Sequence, residues 1–140
     1  IEDPDLIDNS KFNVTYAGTI CPVNNVGKLL DAAKIIKSRG DYSDIQFLIF
    51  GDGVQLEELK ERANKERIDT VRFKGYINRQ YIPYVLSRSA VNVLNYSQNQ
   101  YNWSRGNSSN KLFEYMASGK PIISTVHMGY SLINKYQCGI

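Results

Sequence analysis

Hydrophobic positions along this chain switch between a period of two and a period near 3.6, and the switches divide it into alternating elements. Residues 12–17 are rich in β-branched and aromatic side chains and stop at Gly18, whereas Val26, Leu29, Leu30, Ala33 and Ile36 follow helical spacing. A strand followed by a helix is predicted. Gly40 ends that helix, and residues 45–50 (IQFLIF) supply an almost continuous apolar strand of the type buried on both faces of a parallel sheet. Gly51, Asp52 and Gly53 turn the chain into a helix whose sparse apolar face is Leu56, Leu59 and Ala63. A short strand over 70–74 follows.

The cycle then repeats, with a turn at Gly75 and Asn78, a short helix over 81–87 with Pro83 in its first turn, and a fourth strand over 90–94. A polar segment, 95–110, leads to a helix starting near Asn110. Leu112, Tyr115 and Met116 share one face of it, Phe113 and Ala117 lie on the adjoining one, and Gly119 stands at a left-handed cap before Pro121. Residues 121–126 predict a fifth strand and 131–136 a last short helix, after which Gly139 and Ile140 read as the start of another strand. Residues 1–11 carry Glu2, Asp3, Asp5 and Asp8 around Pro4 with few apolar positions, and read as an acidic linker from a preceding domain. Residues 12–140 read as one domain, truncated at its C-terminus.

Strands alternating with helices at this spacing predict an α/β fold, a Rossmann-like parallel sheet with right-handed crossovers and helices on both faces. Ligands of such sheets bind beyond the carboxyl ends of the strands. Any site should therefore be assembled from residues 18–25, 51–55, 75–78, 95–110 and 125–129.

Composition narrows the class. The 140 residues are 42% hydrophobic and 22% charged, which fits a globular domain and excludes disordered, collagenous and disulfide-framework chains. The strongest apolar run, Phe47 to Phe50, is far shorter than the ~20 residues a membrane-spanning helix needs. Cys21 and Cys138 are too few for a disulfide framework and lack metal-ligand spacing with the single histidine, His127, so a reducing compartment and no metal site are expected. Ile1 in place of Met suggests a segment of a longer protein. The net charge of +3 hides an asymmetry: residues 1–69 hold 9 Lys and Arg against 13 Asp and Glu, whereas residues 70–140 hold 8 against Glu114 alone. A half-chain nearly free of carboxylates attracts an anion such as phosphate, pyrophosphate or nucleic acid, or else meets an acidic partner domain.

The strongest chemical signal lies in residues 106–120. Ser108, Ser109 and Asn110 can cap a helix start, where unpaired N–H groups and the positive end of the dipole favour an anion, and Lys111 adds a cation there. Glu114, one turn on, would repel a phosphate aimed straight at it, but a carboxylate can accept hydrogen bonds from two adjacent hydroxyls of a polyol such as ribose. Its alternative role is to complement the helix dipole. Arg105 could clamp a phosphate or be solvated in the loop. Tyr101 and Trp103 could stack on a base or sugar, or cover the core. Gly18 opens the loop after the first strand. Gly51 and Gly53 could admit a ligand close to the backbone or simply serve a tight turn, and Leu56 stands where a dinucleotide fingerprint has its third glycine. His127 lies at the ligand end without an identified acid or base partner. Cys21 reads as a packed thiol, and Asn24 and Asp52 as loop polar groups.

Residues 109–123, SNKLFEYMASGKPII, resemble the nucleotide-binding segment of glycosyltransferase family 4, which has the GT-B fold. The order of the remaining motifs agrees: Tyr16-Ala17-Gly18, Phe50-Gly51-Asp52-Gly53, Phe73-Lys74-Gly75-Tyr76 and Tyr136-Gln137-Cys138-Gly139-Ile140. The resemblance covers nearly the whole chain from Phe12 and is strongest to members that add sugars to bacterial polysaccharide or O-antigen precursors.

The resemblance implies the donor-binding half of an enzyme that transfers a sugar, with retention, from a nucleotide-sugar, a UDP-sugar first of all. The acceptor would be held by the protein's own N-terminal domain and could be lipid-linked. Glu114 matches the second glutamate of the family's two-glutamate motif and would bind the ribose hydroxyls. The first glutamate falls at Gly106, and the Arg and Lys that commonly hold the pyrophosphate fall near Thr19 and Asn24, so phosphate neutralisation would rest on Lys111, the helix start capped by Ser109 and Asn110, Arg105, or residues outside this segment. The resemblance implies no obligatory metal or other cofactor, no turnover by the fragment alone, and a cytoplasmic location, at the inner membrane face for a lipid-linked acceptor. Nucleic acid is not expected as a partner. The alternatives are a non-catalytic nucleotide- or nucleic-acid-binding domain, since Tyr-rich basic surfaces stack bases, and a nucleotide-sugar epimerase, for which no acid/base pair is identified.

Overall fold

The computed structural model describes residues 2–99, 103–106 and 110–140. Five parallel strands, β1 (Phe12–Ala17), β2 (Ile45–Phe50), β3 (Val71–Gly75), β4 (Val91–Leu94) and β5 (Ile122–Ser124), form one sheet in the order β3-β2-β1-β4-β5. The chain thus works outward from β1 to one edge, then returns beside β1 to build the other. The α-helices among the described residues are α1 (Pro4–Ile7), α2 (Gly27–Arg39), α3 (Leu56–Lys65), α4 (Ile82–Ser87), α5 (Asn110–Ala117) and α6 (Leu132–Lys135).

Strand alternation sorts the core into two layers. Val14, Tyr16, Phe47, Ile49, Val71, Val91 and Val93 face α2 and α3, where Leu29, Leu30, Leu59 and Ala63 meet them. Ala17, Leu48, Phe50, Leu94 and Ile122 join Leu6, Val85, Leu86, Leu112, Tyr115 and Ile133, which come from α1, α4, α5 and α6. Both faces are covered, which is why β2 is apolar at consecutive positions rather than at alternate ones. Gly139 forms a parallel bridge with Ile122, and the Ile140 amide donates to the Ile122 carbonyl at 2.9 Å, so the chain does turn back to pair beside β5. β5 itself is shorter than the expected 121–126.

The linker expected over residues 1–11 is corrected. Asp3 caps α1 by accepting from the Asp5 amide, Pro4 occupies its first turn, and Leu6 is 2% exposed in the second core layer. Lys74 on β3 is held between Asp3 at 2.9 Å and Asp5 at 2.6 Å, and the Asn13 amide donates to the Asp5 carbonyl at 2.8 Å. Arg88 donates to the Leu6 carbonyl. Two of the acids that suggested a solvated linker, Asp3 and Asp5, are instead partners for cations on the sheet, and Leu6 anchors the turn in the core.

Candidate active site at the carboxyl ends of the strands

Three strand ends and one helix start enclose a cavity of about 440 Å³. Ala17 ends β1 and Gly18 and Thr19 follow it; Phe50 ends β2 and Gly51 and Asp52 follow it; Tyr76, Ile77 and Arg79 follow β3; and Asn110, Lys111 and Glu114 come from α5. The end of β1 and helix α5 are fixed to each other by one side chain. The Tyr115 hydroxyl accepts from the Ala17 amide at 3.0 Å and donates to the Ala17 carbonyl at 3.2 Å. Tyr115 is fully buried, and burial raises its hydroxyl above the ordinary range, so it keeps its proton. Leu112 and Tyr115 insert into the core, which turns Lys111 and Glu114 toward the cavity.

The loops themselves are set by close backbone contact. Gly51 has φ +137°, and a Cβ there would lie 1.8 Å from the Gly18 carbonyl oxygen; Gly53 has φ +155°, with a Cβ position 2.3 Å from the Ile20 carbonyl oxygen. Both glycines let the loops after β1 and β2 touch, and the Gly18 and Ile20 amides bond across to Phe50 and Asp52. Gly51 lines the cavity and Gly53 does not, so of the two readings for this pair the tight turn is the one seen at Gly53. Asn24 is buried and donates to the Thr19 carbonyl at 2.8 Å, while Asn95 donates to the Asn24 and Asn25 carbonyls at 2.6 and 2.7 Å. These two amides brace the loop after β1 from below.

Of the residues singled out from the sequence, Gly18, Gly51, Asn110, Lys111 and Glu114 come together in the cavity. Asp52 lines it too, though its carboxylate accepts from the neighbouring Gly53 amide. Ser108, Ser109 and Tyr101 lie outside the described residues, as does the side chain of Arg105. Trp103 is 8% exposed, packs its ring 5.1 Å from that of Tyr96 and donates to the Ser97 carbonyl, so it covers the core. His127 is exposed and away from the cavity; its backbone amide donates to Gln98. Cys21 is partly buried as a free thiol. Among the described residues no three His, Cys, Asp or Glu side chains gather as a metal site.

Three contributors escaped the sequence reading. Arg79 places Nη2 3.5 Å from Glu114 Oε1, across 35 residues of chain. Tyr16 and Tyr96 flank Lys111, with ring centroids 4.7 and 5.2 Å from its Nζ. Arg79 was detectable only as a basic residue just past the turn after β3. Burial pushes the Lys111 ammonium down to about 8, opposed by Cys21 and then by Glu114. The cavity thus joins a carboxylate already beside one cation to a second, desolvated cation and neutral backbone. It can accept hydroxyls at one end and an anion at the other.

Comparison with known families places this arrangement. The family model described as glycosyl transferases group 1 matches residues 11–140. Comparison with curated proteins gives no match. Among solved structures, WaaG, a glycosyltransferase involved in lipopolysaccharide biosynthesis, superposes with a TM-score of 0.71 at 15% identity over 97% of this chain and 34% of its own. S. aureus TarM in complex with alpha-GlcNAc-glycerol and UDP gives 0.69 at 17% identity, covering 89% of this chain and 23% of its own. HepE from Anabaena in complex with UDP and glucose gives 0.64 at 16% identity, covering 91% and 35%. The chain therefore spans about a third or less of the length of these three proteins and shares the Rossmann-like architecture of their GT-B fold. On the family match, which takes in all five strands and the whole cavity, the chain belongs to the glycosyl transferases group 1 family.

Proposed function

We propose that this chain is the donor-binding domain of a glycosyltransferase that moves a hexosyl or N-acetylhexosaminyl group from a nucleotide-sugar, a UDP-sugar first of all, to a polysaccharide-precursor acceptor with retention. The observation that carries the reading is the Glu114 carboxylate on the wall of a cavity at the carboxyl ends of β1, β2 and β3, beside the backbone of Gly18 and Gly51. A carboxylate there suits the paired hydroxyls of a ribose, and the uncharged loop after β1 leaves room for the phosphates next to Lys111 and the start of α5. The UDP bound in the TarM and HepE structures supports uridine as the first nucleotide to try.

In the transfer, the bond from the anomeric carbon to the diphosphate oxygen breaks and one from the acceptor hydroxyl oxygen forms on the same face, the hydroxyl proton passing to the departing diphosphate oxygen. Charge growing on the leaving diphosphate is stabilised by cations and N–H groups already fixed in place. No obligatory metal is assigned. The acceptor, lipid-linked in the simplest version, belongs to the protein's own N-terminal domain at the cytoplasmic membrane face, so this segment binds donor without efficient turnover. Calorimetric titration of the 140-residue chain with UDP, GDP and a short oligonucleotide tests the reading. Saturable binding of UDP or GDP, weakened about tenfold or more in Glu114→Ala, is expected. Salt-sensitive binding of the oligonucleotide alone would replace it with the nucleic-acid module.

A further inference from the structure

The Lys111 ammonium sits against aromatic faces and a neutral hydroxyl rather than a carboxylate. Its Nζ lies over the Tyr16 and Tyr96 rings and donates to the Tyr16 hydroxyl at 3.2 Å. That hydroxyl donates in turn to the Thr19 carbonyl at 2.8 Å, which leaves its oxygen as acceptor for the lysine. Tyr16 is fully buried, and burial raises its hydroxyl far above the ordinary range, so no tyrosinate neutralises Lys111. The carboxylate one turn along α5, Glu114, pairs with Arg79 instead, and Lys111 forms no ion pair with any described residue. A desolvated cation in this setting carries an unmet electrostatic demand. Aromatic faces attract it without cancelling its charge, so an incoming anion finds the full positive charge in a site of low dielectric.

Gly18 gives an independent sign that the lysine is built into the cavity. A Cβ on Gly18 would lie 2.5 Å from Lys111 Nζ and 2.8 Å from its Cε, and Gly18 does not share the positive φ of Gly51 and Gly53. Space rather than backbone conformation favours glycine there, and what fills that space is the ammonium end of Lys111, with the Tyr16 hydroxyl 2.9 Å from the same Cβ position. Residues 17–25 contain no Lys or Arg, so no cation from that loop duplicates it. The titratable groups facing Lys111 are Tyr16 on β1, Cys21 in the following loop, Tyr96 after β4 and Glu114 on α5.

We propose that Tyr16 and Tyr96 are positioning residues that hold Lys111 over Gly18 as the anion-binding group of the cavity, and that this aromatic cage takes the diphosphate of the ligand. The nucleoside part of that ligand rests on the donor-binding reading; the anion site does not. The test is titration of the 140-residue chain at pH 7 with inorganic pyrophosphate and with UDP, in wild type, Lys111→Met, Tyr96→Leu and Tyr96→Phe, with a thermal melt of each to establish folding.

Lys111→Met should weaken pyrophosphate about tenfold or more, the scale of a lost charge-assisted hydrogen bond. Tyr96→Leu should weaken it about three- to tenfold while Tyr96→Phe, which keeps the ring, stays near wild type. With UDP, whose terminal phosphate ionises near pH 6 and is fully charged above neutrality, affinity should hold from pH 7 to about 8 and fall beyond it in wild type but not in Lys111→Met. Pyrophosphate binding indifferent to Lys111, no pyrophosphate binding at all, or equal losses in Tyr96→Leu and Tyr96→Phe would each overturn the cage. Lys111-dependent pyrophosphate binding with no gain for UDP would keep the cage and remove the nucleotide reading. UDP binding that ignores Lys111 would do the reverse. Should Tyr96→Leu not fold, Gly18→Ala serves instead, displacing the ammonium and lowering pyrophosphate affinity.

Discussion

The guanidinium of Arg79 stands 3.5 Å from the carboxylate of Glu114, joining the loop after β3 to helix α5 across the cavity. Arg79 is 77% exposed and Glu114 35%, so the pair is well solvated and adds under about 1 kcal/mol to stability. Its consequence is orientation: Arg79 holds Glu114 toward the space a ribose would fill. Arg79→Ala is therefore expected to leave the melting temperature nearly unchanged while weakening UDP about two- to fivefold, a change of the size an exposed pair supplies. Calorimetry beside a thermal melt checks both halves.

Four glycines should respond to the same substitution according to what their Cβ would meet. Gly51→Ala and Gly53→Ala combine positive φ with overlap on the Gly18 and Ile20 carbonyls, and should each cost about 2–4 kcal/mol in urea unfolding. Gly40→Ala, at φ +73° with nothing near its Cβ position, should cost about 1 kcal/mol. Gly18→Ala meets the movable end of Lys111 and, at 2.9 Å, the hydroxyl of the buried Tyr16 but no backbone atom, so the fold should survive it while the cavity loses its cation.

Lys111 links the site to stability. Its folded-state value of about 8 lies below the ordinary 10.5, so between these pH values the unfolded chain binds more protons than the folded one. Stability from this group therefore rises with pH across that window, and the burden of the buried charge is full below it. Lys111→Met should be more stable than wild type at pH 7, by about 1–3 kcal/mol, with the difference shrinking by pH 9.5. Urea unfolding at the two pH values measures it.

The N-terminal turn is predicted to belong to the folding unit. Leu6→Ala removes a fully packed side chain and should cost about 2–4 kcal/mol. Asp5→Ala takes from Lys74 its partner at 2.6 Å and from Arg72 its partner at 3.5 Å, and should destabilise by a smaller amount. Both are read from denaturant midpoints.

What the sequence revealed and what it hid follow from range. β1 and β2 were legible to the residue, because residues 12–17 are rich in β-branched and aromatic side chains, residues 45–50 are nearly all apolar and both stop at a glycine, and α5 was legible through Leu112, Tyr115 and Gly119. Loops at the carboxyl ends followed from strand order, and with them Gly18 and Gly51, whereas Lys111 and Glu114 came from the helix start and the 109–123 segment. α1 was missed because four acids in eleven residues look solvated until Lys74 and Arg72 are known to lie opposite two of them, Asp3 and Asp5, and Arg88 opposite the Leu6 carbonyl. Arg79 and Tyr16 were missed as site residues because their partners are 35 and 95 positions away, a separation at which no local period carries information.

The central claim, that Glu114 receives ribose hydroxyls, is tested most directly by a double-mutant cycle in which one change is made on the ligand. Affinities of wild type and Glu114→Ala for UDP and for 2′-deoxy-UDP give the coupling between the carboxylate and the 2′-hydroxyl. The account predicts that wild type loses about tenfold on removal of that hydroxyl and that Glu114→Ala loses almost nothing. Equal losses in the two proteins would contradict it, since the hydroxyl would then be held by some other group.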